Sequence, residues 1–104
     1  MAANFEAVRE EAKRYANEVR TQLPVDRAFL FGSYAKGTAD KLSDVDVCFF
    51  FSNYGGKSRA DIGIRLLKIA RNYKAYFEPL VFETADIERK NPFVHEILRT
   101  GQEI

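Results

Sequence analysis

The residues best suited to chemistry fall in two short stretches. Phe31-Gly32-Ser33-Tyr34 follows a brief apolar run, and Ser43-Asp44-Val45-Asp46 opens a longer one. Side chains alternate along a strand, so Asp44 and Asp46 share a face, with Cβ atoms roughly 6 to 7 Å apart at a rise of about 3.3 Å per residue. Beside an apolar run two such carboxylates repel each other and lose hydration, a cost that a proton or a divalent cation offsets. Mg²⁺ suits the pair, because it takes oxygen ligands, needs only one or two carboxylates and completes its octahedral shell with water and substrate phosphates. That chemistry implies a nucleotide substrate.

Gly32 supplies the complementary half. A residue without a side chain lets phosphate oxygens approach backbone N–H groups, and the Ser33 hydroxyl adds a donor. For Gly32 and Ser33 to meet the same phosphates as Asp44 and Asp46, the end of the first strand must lie beside the start of the second, which requires the two to run antiparallel. A third carboxylate would complete a phosphoryl or nucleotidyl transfer site by holding metal and drawing a proton from the attacking hydroxyl. Glu78, between Phe77 and Pro79, is the candidate. Each residue also has a plainer use: Asp at a strand start forms turns, Gly-Ser after a strand is a common turn, and a strand Glu guards a sheet edge. Their joint arrangement favours the site.

These positions need elements to hold them. From Asn4 to Gln22 the apolar residues Phe5, Val8, Ala12, Tyr15, Val19 and Leu23 recur every three or four positions, an amphipathic helix stopped by Pro24. Ala28 to Phe31, entered from Arg27, reads as a short buried strand broken at Gly32. Asp44 to Phe51 reads as a central strand, apolar on both faces after Asp46. Between these strands a short helical or irregular segment is expected. A loop with a glycine pair leads to a helix whose stripe is Ile62, Leu66, Ile69 and Tyr73. Ala75 to Phe82 forms a third strand, in which Pro79 indicates an edge or a bulge. Thr84 caps a short helix, and a last helix runs from about Pro92 to Gly101. The order predicts a small α/β or α+β fold, a mixed sheet with helices packed on it.

Composition narrows the setting. The 104 residues, 46% apolar and 30% charged, suit one domain over 1–104 with a single core. Sixteen basic against fifteen acidic residues leave a net charge of +1, so no overall field draws in nucleic acid or an anionic membrane. The single cysteine, Cys48, excludes an internal disulfide, and the N-terminus lacks a signal-like apolar stretch; both point to the cytoplasm. No apolar run is long enough to span a bilayer.

The stretch from Gly32 to Val47, Gly-Ser-Tyr-Ala-Lys-Gly-Thr-Ala-Asp-Lys-Leu-Ser-Asp-Val-Asp-Val, closely resembles the signature of the minimal nucleotidyltransferases, small members of the DNA polymerase β-like superfamily. There Gly-Ser is followed by Ala-Arg-Gly and, after a spacer, by Ser-Asp-x-Asp and an apolar residue. Phe77-Glu78-Pro79 resembles the family's third-carboxylate segment, and Asn91-Pro92-Phe93 and Ile97 to Gly101 its closing region. Lys36 stands where Arg is usual, and Glu78 where Asp is common. The resemblance implies transfer of AMP from ATP to a hydroxyl, with two Mg²⁺ ions held by Asp44, Asp46 and Glu78 and the triphosphate gripped by Gly32, Ser33 and Lys36. It also implies a hetero-oligomer with a small all-helical HEPN toxin, silenced by AMP on a tyrosine, and hence an antitoxin. Two alternatives stay open: a binding module that occludes its partner, and a nucleotidyltransferase for a small molecule such as an aminoglycoside.

Other residues carry less. His95, the only histidine, reads as a surface or packing residue, and Cys48 as a small buried hydrophobe. Arg65, Lys68, Arg71 and Lys74 read as a solvated helix face, with an acidic or RNA partner as the alternative. Tyr34 stands beside the phosphate turn. Phe93, Val94, Ile97 and Ile104 finish the core or form part of a partner surface.

Overall fold

The computed structural model describes residues 5–32 and 44–104. The first helix, α1 (Phe5–Gln22), buries Ala12, Tyr15, Ala16 and Val19, the face its periodicity marks. β1 spans Val25–Phe31 and β2 Val45–Phe51. β1 begins earlier than its apolar run predicts, because a register shift between Val25, opposite Phe51, and Arg27, opposite Phe50, passes over the polar Asp26 and keeps the strand paired with β2. β2 begins one residue later than predicted, which leaves Asp44 just outside it. The predicted segment between these strands lies outside the described residues.

Ser58 caps α2 (Arg59–Ala70), its hydroxyl accepting from the Asp61 N–H at 3.1 Å. Ile62, Leu66 and Ile69 are buried as expected, whereas Tyr73 lies beyond the helix end and packs from the following turn. β3 spans Phe77–Glu83, shifted from the predicted Ala75–Phe82 because Phe77 N–H turns back to the Ala75 carbonyl. The next turn, Thr84–Ile87, is a 3-10 helix capped by Glu83 rather than Thr84. The Thr84 hydroxyl is engaged elsewhere, donating to Asp26 at 2.5 Å. α3 (Pro92–Thr100) follows, and the chain ends in a two-residue strand, β4 (Gln102–Glu103), too short to read from sequence.

The sheet order is β3-β2-β1-β4, mixed as predicted. β1 runs antiparallel to β2 and to β4, and β2 runs parallel to β3. β2 is therefore central and β3, with Pro79, an edge. One sheet face packs Val45, Val47, Phe49 and Phe51 against α1 and α2. Tyr15 is the keystone of this layer: its ring stacks on Phe77 at 4.7 Å, and its hydroxyl donates to the Leu66 carbonyl at 2.9 Å. The other face packs Phe29, Cys48 and Phe50 against Val94 and Ile97 of α3. Among the described residues no helix is long and apolar enough to cross a membrane.

Asn91 fixes where α3 starts, its side-chain oxygen accepting from the Phe93 and Val94 N–H groups at 3.1 and 3.3 Å. Asn91→Ala is expected to cost about 1 kcal/mol, a fall in Tm of about 4 to 8 °C in a domain of this size. Thermal denaturation checks this.

Candidate active site

The pairing of β1 with β2 sets Phe31 opposite Asp46, with Gly32 next in the chain. The parallel pairing of β2 with β3 sets Asp46 opposite Glu78, across a strand spacing of about 4.8 Å. The end of β1 and the starts of β2 and β3 thus meet at one end of the sheet, and the antiparallel arrangement required for Gly32 and Asp46 to share phosphates is present. Asp44, exposed, stands beside Val45, whose N–H donates to the Tyr76 carbonyl at 2.9 Å. Four of the predicted residues, Gly32, Asp44, Asp46 and Glu78, are brought to this end. Ser33, Tyr34 and Lys36 lie outside the described residues.

Asp46 is the electrostatic centre. It is half-buried, and its carboxyl is held above the usual carboxylate range, first by burial and then by the charges of Glu78 and Asp44. Like charges directly opposite on neighbouring strands destabilise a sheet. No cation among the described residues forms an ion pair with any of the three. An all-oxygen donor set that no cation among the described residues balances fits a hard divalent cation. Among the described residues no three His, Cys, Asp or Glu side chains are gathered tightly enough to cage an ion alone.

Gly32 is shaped for this place. Its φ of +80° lies in the left-handed region, and a Cβ there would collide with Asp46 Oδ2. The turn therefore brings bare backbone against the central carboxylate.

The residues set aside in sequence behave accordingly. The Cys48 thiol is buried, and burial with the nearby Asp46 charge pushes its pKa up to about 12, so it stays protonated and inert. His95 is exposed on α3, and Arg65, Lys68, Arg71 and Lys74 are exposed along or just beyond α2. A groove of about 320 Å³ at the end of α2, lined by Leu67, Tyr73, Tyr76 and Phe77 among others, contains no carboxylate. Sequence reasoning left open which residue faces Asp46 across the sheet. A strand-helix-strand connection between neighbouring strands is the signal for parallel pairing, and it sets Glu78 at that position.

The chain is similar to proteins of one kind. A Methanocaldococcus jannaschii protein named "Putative protein adenylyltransferase" is 29% identical over 98 residues, covering 88% of this chain and 93% of its own. A crystal structure titled "putative nucleotidyltransferase", from Sulfolobus solfataricus, shares the fold with a TM-score of 0.57 at 22% identity, over 77% of this chain and 70% of that one. The profile of the nucleotidyltransferase domain family matches residues 12–98, a span that holds both strands bearing Asp46 and Glu78. The chain belongs to the nucleotidyltransferase domain family.

Proposed function

We propose that this nucleotidyltransferase is a Mg²⁺-dependent protein adenylyltransferase that moves AMP from ATP to a tyrosine hydroxyl of a small helical HEPN-type partner and acts as that partner's antitoxin. The observation that carries the reading is the half-buried Asp46 facing Glu78, with no cation among the described residues paired to either. Asp44, Asp46 and Glu78 are the groups that would hold Mg²⁺, two ions in all. When bound, the metal neutralises charge on the attacking and leaving oxygens.

The chain's own residues do the rest. Gly32 backbone, with Ser33 and Lys36, grips the triphosphate. The acceptor oxygen attacks the α-phosphorus, the bond to the bridging oxygen breaks, and pyrophosphate leaves with that electron pair. The acceptor's proton passes to a carboxylate of the Asp46–Glu78 pair and then to water. A protein acceptor is supported by the name of the M. jannaschii relative, and the antitoxin role by the resemblance of Gly32 to Val47 to the minimal nucleotidyltransferase signature.

Co-expression with the HEPN-type protein of the source organism tests the acceptor. The expected result is that the partner gains the mass of one or more adenylyl groups, on a tyrosine, with the wild type and not with Asp44→Asn, Asp46→Asn. Neutralisation by the double variant with no gain in mass would replace the reading with occlusion, and AMP on a low-mass product would replace the protein acceptor with a small molecule.

A further inference from the structure

The sheet face that carries the carboxylates is only partly covered. α3 seals Phe29, Cys48 and Phe50 with Val94 and Ile97, but Phe93, in its first turn, is 49% exposed. The Phe93 ring is held between two others, 5.5 Å from Phe31 at 66° and 5.7 Å from Phe82 at 35°. Phe31 pairs with Asp46 and precedes Gly32, so Phe93 is separated from the carboxylate centre and the glycine turn by a single side chain. The other large exposed apolar side chains among the described residues lie elsewhere. Ile64 and Leu67 are on α2, which packs on the opposite face, and Tyr76 lines the groove beside Leu67.

We propose that Phe93 is the stacking platform for the base of the bound nucleoside triphosphate, an inference that rests on the nucleotidyl-transfer reading of the carboxylate site. Phosphates engaged at Gly32 leave a nucleoside to be seated within a ribose length, and among the described residues Phe93 is an exposed aromatic ring, held by Phe31, that borders the turn. The ring is pre-ordered by its two aromatic neighbours and by the Asn91 cap on its own N–H, so little freedom is lost when a base settles on it. Stacking recognises any π-face and grows with ring size, so purine nucleotides bind more tightly than pyrimidine ones.

The protein has no tryptophan, so Phe93→Trp introduces a single reporter in the same place. With Mg²⁺ present, α,β-methylene ATP is expected to quench its emission and inorganic triphosphate to leave it unchanged. By calorimetry, Phe93→Leu, which keeps apolar bulk against Phe31 and Phe82, and Phe93→Ala are expected to raise the Kd of α,β-methylene ATP about ten-fold or more, with the Kd of triphosphate unchanged. Wild-type affinity for the analogue in Phe93→Leu overturns the proposal, as does an equal loss for triphosphate. If the wild type binds triphosphate and the analogue equally, the phosphate site stands and the stacking role falls. If it binds neither, both fall.

Discussion

Asp46→Asn is expected to abolish nucleotidyl transfer while making the protein more stable. The loss of activity should reach about a thousand-fold, the scale of removing a group that balances charge in the transition state. The gain in stability follows from the same carboxylate. Its pKa is raised in the fold, so ionisation costs more in the native than in the unfolded state. The stability it contributes is full below its ordinary value of 3.8 and is lost as pH rises through the elevated folded value. At neutral pH the charge is a liability that asparagine lacks, and the variant's Tm should exceed the wild type's. The difference should shrink as pH falls toward 4, and shrink again when Mg²⁺ is added to the wild type. Differential scanning calorimetry across pH checks this. A variant that melts well below the wild type at every pH would make Asp46 a structural residue.

Gly32→Ala is expected to damage both fold and activity. At φ +80° an L side chain costs about 1 to 2 kcal/mol, a fall in Tm of about 5 to 15 °C for a domain of this size. The new methyl also meets Asp46 Oδ2, so the carboxylate must move, and a displacement on the scale of 1 Å at a reacting centre can cost about a hundred-fold in rate. The two causes separate in a double-variant cycle. In an Asp46→Ala background the collision disappears and the backbone strain remains, so Gly32→Ala should cost measurably less there. Equal costs in both backgrounds would show that the approach of Gly32 to Asp46 carries no energy.

Much of this site could be read from residue order because it rests on local rules. The short spacing of Asp44 and Asp46 keeps the two charges within reach of each other although Asp44 stands just outside β2, the apolar run of Val47 to Phe51 makes β2 central, and Pro79 makes β3 an edge. What escaped the reading depends on partners distant in the chain. β1 continues back to Val25 because of a shifted register against Phe51, which no pattern within Val25 to Arg27 reveals. Thr84 has the residue type of a helix cap, yet its hydroxyl serves Asp26, 58 residues away, and Glu83 caps the turn instead. Phe93 reads as one more apolar residue of an amphipathic helix, and only the packing of Phe31 and Phe82 around it sets its ring on the carboxylate face.

Labelled ATP shows whether the Asp44, Asp46 and Glu78 end of the sheet transfers a nucleoside monophosphate. The most direct test is to incubate the protein with Mg²⁺, extract of the source cells and ATP labelled on either the α- or the γ-phosphate, and then follow the label by mass. α-Label is expected to move to one small protein and γ-label to leave with pyrophosphate, and Asp44→Asn, Asp46→Asn is expected to transfer neither. Transfer of γ-label to the acceptor, or undiminished α-transfer by the double variant, would contradict nucleotidyl transfer by these carboxylates.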